Sequence, residues 1–212
     1  LTISSTGRWL AAASADGMVR VWDLDTAPQV APPIVLAHQY TGVISAVFSD
    51  DEPRLMTAAT DGNFYGEVKL WRAGDNFAQP EATYSYNYIA GATMSADGAW
   101  LAVSTPDFTE LRPIGPGVSA DDAAGAGQRF YGFGYVYAMA FSPDSRSFSS
   151  GNYLWRLNGQ GRWDDPVRLV GQPQAGVYTP VFSRDSRWLA AVSAENTVYR
   201  WDLHDLTRLP YI

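Results

Sequence analysis

The sequence predicts an all-β fold, and three observations carry that prediction. A serine-centred turn segment recurs five times at a nearly constant interval. A short alternating strand that ends at or near tryptophan follows almost every copy. No stretch sustains a 3.6-residue apolar period, so helix is expected to be scarce.

The turn segments read "TISSTGRWLAA" (2–12), "VFSDDEPRLMT" (47–57), "TMSADGAWLAV" (93–103), "AFSPDSRSFSS" (140–150) and "VFSRDSRWLAA" (181–191). Their aligned serines are Ser4, Ser49, Ser95, Ser142 and Ser183, at spacings of 45, 46, 47 and 41 residues. The first strand of each copy is expected to end at the serine. "SADG", "SPDS" and "SRDS" supply the Asp, Ser and Gly of tight hairpin turns. The second strand then starts near Trp9, Trp100 or Trp188. The third is written in "MVRVWDL" (18–24), "EVKLWRA" (67–73), "YLWRLN" (153–158) and "TVYRWDL" (197–203), ending at Trp22, Trp71, Trp155 and Trp201. The third copy is degenerate, "TELRPI" (109–114), with Leu111 where Trp is expected. Gly151-Asn152 marks another two-residue turn. A weaker fourth strand is expected at Ile34-Val35-Leu36 and at 167–170.

Four antiparallel strands per forty-odd residues, repeated, is the β-propeller arrangement. One such sheet cannot bury both of its faces, but stacking blade on blade does. The expected repeats are 1–36, 37–83, 84–130, 131–171 and 172–212, forming one propeller region over 1–212. The chain opens as if inside a structural element, which leads us to expect a piece of a larger protein. Two arrangements fit five blades: an open arc of a larger ring, or a closed five-blade ring.

Composition narrows the function classes. Hydrophobic residues make up 46% and charged residues 17%, enough apolar content for a core. A net charge of −7 disfavours a phosphate-backbone partner, so no nucleic acid is expected. No apolar run reaches the ~18 residues of a spanning helix, so no membrane partner is expected, and cytoplasmic residence is the expectation. Cysteine is absent, which removes thiol nucleophiles and Cys-type zinc sites.

The repeat resembles the WD-repeat family over essentially all 212 residues. The best copies are "SADGMVRVWDL" (14–24), the span from "LAHQYTGVISAVFS" (36–49) to "VKLW" (68–71), and "TVYRWDL" (197–203). Trp22-Asp23 and Trp201-Asp202 separate it from related propellers with similar turns but no Trp-Asp pair. The linker at 23–38 is similar to the Ala/Pro-rich linkers of bacterial WD-repeat arrays, which are commonly fused to kinase or nucleotide-hydrolysing signalling modules. The resemblance implies a buried hydrogen-bonded set of a His, a Ser or Thr, a turn Asp and the Trp. Only the second repeat has all four: His38, Thr57, Asp61 and Trp71. Elsewhere Tyr84, Tyr131 and Gln172 stand at the His position, Ala12 and Ala191 at the Ser/Thr position, and Glu195 at the Asp position.

Candidate binding residues are aromatic. Tyr84, Tyr86 and Tyr88 alternate, and Phe130, Tyr131, Phe133, Tyr135 and Tyr137 follow in the next repeat. Both groups are expected between strand four and the next strand one, the connection that the resemblance places on a partner-binding rim. Tyr40 and Phe133 fall at the repeat position of Tyr86, and Tyr178 aligns with Tyr137. "DGNFYGEVKLW" (61–71) has four more residues than "DGMVRVW" (16–22), which puts Phe64 and Tyr65 at a loop tip. The partner set is therefore Tyr40, Phe64, Tyr65, Tyr86, Tyr88, Phe133, Tyr135 and Tyr178. Aromatics are frequent interface anchors; packing between blades is the competing use of the same rings. Asp121-Asp122 in the long 105–128 segment lack the alternating ligand spacing of a calcium loop.

Catalytic, metal and cofactor residues are not expected. His38 and His204 are the two histidines, and no nucleophile elbow, HExxH pair or phosphate loop occurs. The expected function is a non-catalytic protein-interaction scaffold or sensor in a larger bacterial signalling protein, with a protein or peptide partner and further blades or fused domains. The alternatives are a propeller enzyme or a small-ligand or carbohydrate binder at an aromatic channel mouth, and a purely structural spacer.

Overall fold

A computed structural model describes residues 1–26, 31–50, 53–115, 127–132, 136, 138–169, 177–193 and 195–211. Among them, all strand pairings are antiparallel and fall into five sheets taken in chain order. The first sheet contains β1 (Thr2–Ile3), β2 (Trp9–Ala13), β3 (Met18–Asp23) and β4 (Ile34–Ala37). The second has β5 (Gly42–Phe48), β6 (Arg54–Thr60), β7 (Gly66–Arg72) and β8 (Pro80–Tyr86). In the third are β9 (Gly91–Met94), β10 (Trp100–Ser104), β11 (Phe108–Pro113) and β12 (Gln128–Tyr131). The fourth holds β13 (Met139–Phe141), β14 (Ser147–Ser150), β15 (Tyr153–Arg156) and β16 (Val167–Arg168). The fifth holds β17 (Val177–Phe182), β18 (Trp188–Ser193) and β19 (Val198–Asp202), and an isolated bridge from Arg200 to Tyr211 supplies a fourth rung. Sheets of this order and sequence are the blades of a β-propeller.

The repeated serine explains how each blade starts. Its backbone N–H donates to the carbonyl five residues on, at 2.8–2.9 Å in all five blades. The N–H of that same residue donates back to the serine Oγ, at 2.9–3.1 Å. Each serine thus closes the first hairpin from both sides. The turn between them passes through the left-handed region at Gly7, Gly98, Ser145 and Ser186. Gly takes that conformation freely, and Ser145 and Ser186 take it with a side chain in place.

The chain divides into two compact units, Leu1–Tyr135 and Val136–Ile212. In the first unit, the second blade buries both faces. One face packs Phe48, Leu55 and Trp71 against Trp9, Ala11, Val19, Val21 and Leu36 of the first blade. The other packs Met56, Ala58, Val68, Leu70 and Tyr84 against Ile89, Met94, Leu101 and Val103 of the third. Strand β6 is buried at every residue as a result. In the second unit, Leu189, Ala191, Tyr199 and Trp201 of the fifth blade pack on Leu154 and Leu169 of the fourth.

Cross-strand register corrects four expectations. Trp22, Trp71, Trp155 and Trp201 lie opposite Leu10, Leu55, Phe148 and Leu189. In the third blade the equivalent Leu101 lies opposite Arg112, so Arg112 and not Leu111 occupies the tryptophan's place. Tyr84 and Tyr86 belong to strand β8 rather than to the connection after it. Gly66 pairs with Tyr86, as Gly17 meets His38, so Tyr86 and not Tyr84 stands at the histidine's place. Tyr131 pairs with Phe108 as Ala37 pairs with Met18, one residue short of that place. Spacing alone missed these shifts because β8 and β12 begin at different distances from their turns.

Candidate functional site

The first unit holds two constellations of candidate residues: a buried polar set inside the second blade, and an exposed aromatic tip at its end.

In the buried set, β6 supplies Thr57, β7 supplies Glu67 and Trp71, and the residue after β4 is His38. Period-two alternation along β7 puts Glu67, Lys69 and Trp71 on one face, towards the first blade. His38 Nδ1 lies 2.9 Å from Glu67 Oε1, and Nε2 lies 2.8 Å from Thr57 Oγ1. Trp71 Nε1 donates to the same Thr57 Oγ1 at 2.8 Å. A carboxylate can only accept, which fixes the imidazole proton on Nδ1. The hydrogen bonds then run in one direction, from Trp71 to Thr57 to His38 to Glu67. Burial holds the His38 pKa below its ordinary value, against the pull of Glu67. Burial opposes the charge on Glu67 too, but the Gln39 amide at 2.7 Å and the Lys69 ammonium at 3.2 Å keep its pKa low.

Asp61, expected in this set, is not part of it. The longer 61–65 loop carries it away, and its Oδ1 instead accepts from the backbone of Asn63, Phe64 and Tyr65 at 2.8–3.0 Å. Those amides hold its pKa below the usual carboxylate range. Sequence reading missed Glu67 as the acid. The available signal was a Glu two residues before Lys69 on the tryptophan-bearing face of β7.

The aromatic tip grows from the same loop. Thr60 Oγ1 donates to the Tyr65 carbonyl at 3.0 Å, and the Asp61 N–H donates to that carbonyl at 3.0 Å. With Asp61 clasping three amides, the loop backbone is held in one shape. Tyr65 stacks on Tyr40, with ring centroids 6.3 Å apart and planes 8° from parallel. Phe64 is 71% exposed and Tyr65 57%. Tyr40, Phe64 and Tyr65 are therefore brought to one end of the second blade.

The remaining aromatic candidates separate. Tyr86 turns inward, with its hydroxyl buried, and burial with the nearby Glu110 carboxylate pushes its pKa well above the usual range. Tyr88 is half-buried just past β8. Tyr178 lies in the second unit, exposed on β17. Phe133, Tyr135, Tyr137, Gln172 and Asp121-Asp122 lie outside the described residues.

A cavity of about 730 Å³ opens at the opposite end of the first two blades, lined by Thr6, Arg8, Trp9, Asp25, Arg54 and Arg72 among others. Its arginines already face carboxylates. Arg8 meets Asp23 at 2.8 Å, and Arg54 and Arg72 reach Glu81 at 3.0 and 2.6 Å. Among the described residues, no group of three or more His, Asp or Glu side chains is placed to hold a metal ion. No helix there is long and apolar enough to cross a membrane.

Comparison with known proteins agrees with this geometry. The family described as WD domain, G-beta repeat matches residues 1–23 and 166–202. The chain is similar to WD repeat-containing protein 1 of Mus musculus and of Rattus norvegicus, 24% identical over 212 residues in each case. Those alignments cover 94% of this chain and 32% of each relative, so the chain spans about a third of their length. WD-repeat proteins generally act as protein-interaction scaffolds and are typically not enzymes. The five blades, their serine clasps, the tryptophan register and the matched segments support a likeness to the WD-repeat family.

Proposed function

We propose that this chain is a non-catalytic interaction scaffold that grips a protein or peptide partner with Tyr40, Phe64 and Tyr65. The observation that carries the reading is the exposed Phe64–Tyr65 tip on a loop fixed by Asp61 and backed by the Tyr40 ring. A pre-shaped backbone lowers the ordering cost of binding. Rigid aromatic rings offer large contact area with few rotatable bonds. The linker at 23–38 supports a scaffold or sensor role inside a longer signalling protein of the bacterial kind it resembles. The competing enzyme or carbohydrate-binder reading requires titratable groups gathered at an aromatic mouth. The 730 Å³ cavity favours it less, because it lies at the other end of the blades and its arginines are neutralised.

The test is a random-peptide display selection on the immobilised chain. Enriched peptides should bind the Phe64→Ala/Tyr65→Ala variant at least about tenfold more weakly, equivalent to about 1.4 kcal/mol. The unfolding midpoint should stay unchanged, since both rings are exposed. Enriched peptides that bind the variant as well as the parent would sink this reading.

A further inference from the structure

Asn158 opens the turn between β15 and β16 of the fourth blade. An isolated bridge joins Leu157 to Trp163, and inside it the Asn158 N–H donates to the Arg162 carbonyl at 2.8 Å. Asn158 Oδ1 accepts from the backbone N–H groups of Gln160 and Arg162 at 3.0 and 3.1 Å. Its Nδ2 donates to Asp164 Oδ1 at 2.9 Å. Two donors at one end and a carboxylate at the other fix which atom of the amide is oxygen.

The residue after Asn158 is Gly159. An asparagine side chain and the next main-chain nitrogen can close a five-membered imide. Closure needs that nitrogen to lose its proton and reach the side-chain carbonyl carbon. A side chain on the following residue hinders the approach, and a hydrogen bond from its N–H resists loss of the proton. Neither obstacle stands at Gly159. It has no side chain, it is exposed, and its N–H has no hydrogen-bond partner among the described residues. The other asparagines, Asn63, Asn76, Asn87, Asn152 and Asn196, are followed by Phe64, Phe77, Tyr88, Tyr153 and Thr197. Aspartate can close the same ring, and Asp16, Asp61 and Asp97 each precede a glycine. There the glycine N–H is engaged. Gly17 donates to the Ser14 carbonyl at 3.4 Å, Gly62 to Thr60 Oγ1 at 3.1 Å, and Gly98 to the Ser95 carbonyl at 3.0 Å.

We propose that Asn158-Gly159 is a self-modification site, where the asparagine converts to aspartate or isoaspartate with water as co-reactant. The Gly159 nitrogen bonds to Asn158 Cγ, and the Cγ–Nδ2 bond breaks. Nδ2 leaves as ammonia, carrying the proton that Gly159 gave up. The Gln160 and Arg162 amides already lie on Oδ1, where negative charge builds during the attack. Water then opens the imide. Attack at Cγ gives aspartate; attack at the main-chain carbonyl gives isoaspartate, whose main chain is one carbon longer.

Either product alters the turn. A carboxylate at this position turns an oxygen towards Asp164, where an N–H donor stood. The extra carbon of isoaspartate disturbs the bridge that places Trp163, which is buried with its ring centroid 5.8 Å from that of Phe141. The fourth blade therefore loosens as the protein ages.

The experiment incubates the native chain at mildly alkaline pH and digests aliquots briefly with trypsin, which releases 157–162 as one peptide. Against the aliquot taken at the start, that peptide should gain the mass of an NH2-to-OH exchange and split into two chromatographic peaks. Gly159→Ala should slow the conversion at least about tenfold, a barrier higher by about 1.4 kcal/mol. A Cβ at Gly159 meets no atom within 4 Å, so this variant keeps the fold. Asn158→Asp should lower the unfolding midpoint, and adding Asp164→Asn should restore it. A native chain that stays unconverted while its urea-unfolded form converts would overturn the proposal. So would a Gly159→Ala variant as fast as the parent, or equal isomerisation at Asp16, Asp61 or Asp97.

Discussion

The second and third blades place different chemistry at one structural position. In the second, Trp71, Thr57 and His38 pass hydrogen bonds to Glu67, and each buried polar atom in the run has a partner. In the third, Arg112 takes the tryptophan's place, Val103 that of Thr57, Tyr86 that of His38, and Glu110 that of Lys69. Arg112 Nη2 donates to Glu110 Oε1 at 2.8 Å, and its guanidinium lies 5.0 Å from the Tyr84 ring centroid. Glu110 Oε2 has no hydrogen-bond partner among the described residues, and the Tyr86 hydroxyl is buried beside Glu110 and Arg112. Gly127 completes the arrangement, because a Cβ there would stand 2.2 Å from Glu110 Oε1. A hydrogen-bond chain that ends on the Glu67 carboxylate and a buried ion pair therefore fill equivalent space. The first satisfies its polar atoms; the second holds two charges out of water.

The largest expected effect breaks the third blade. Arg112→Leu alone leaves Glu110 buried with its main partner gone and should lower unfolding free energy by about 3–5 kcal/mol. The double variant Arg112→Leu/Glu110→Leu should recover most of that loss. Urea unfolding of the three proteins measures the difference, and a double variant as weak as the single one would refute the account.

Thr57→Val tests the second blade at the register where the third already has Val103. It strips a partner from both His38 Nε2 and Trp71 Nε1, and should cost about 1–3 kcal/mol by the same measurement. Val103→Thr in the third blade should gain nothing, since no histidine or tryptophan faces it.

Acid separates the two blades further. His38 is held neutral, with its folded pKa below its unfolded value. The unfolded chain therefore binds more protons as pH falls through about 6.5, and stability is lost over that window. Glu67 has a lowered folded pKa, so its contribution is present above about pH 4.3 and fades as pH falls through the carboxylate range. His38→Gln should flatten the first decline and leave the second. An unchanged slope between about pH 7 and pH 5.5 would contradict the buried neutral imidazole.

The smallest effect belongs to the Asp of the Trp-Asp pair. Asp23 and Asp202 each meet an arginine, Arg8 and Arg187, at 2.8 and 2.9 Å, with the arginines about half exposed and the aspartates partly buried. Asp23→Asn should shift the thermal midpoint least in the series, and the shift should shrink with added salt.

How much of this was legible depends on what each residue interacts with. The serine clasp is local: Ser4 to Trp9 spans five residues, so its chemistry is written within one turn. The strand pattern around Trp22 and Trp71 is local too. The set around His38 required pairing across strands, and a two-residue shift of β8 decided whether Tyr84 or Tyr86 took the histidine's place. Glu67 and Glu110 were invisible as partners because their importance comes from burial by a neighbouring blade. The aromatic tip was legible as an insertion, whereas the Tyr40–Tyr65 stack came from two separate connections meeting in space.

The interlock of Glu110, Arg112 and Gly127 bears on how a repeat array diverges. Copies of one ancestral blade can drift one residue at a time only through intermediates that still fold. A return from the ion pair to a tryptophan blade must change Arg112 and Glu110, and whichever goes first leaves its partner buried alone. An intermediate weaker by about 3–5 kcal/mol forfeits a large share of the roughly 5–15 kcal/mol that holds a typical domain folded. Gly127 tightens the constraint, because no side chain fits there until the acid has left. The ion-pair blade and the tryptophan blade are thus separated by the same weakened intermediates in either direction, and a paired change is the route between them.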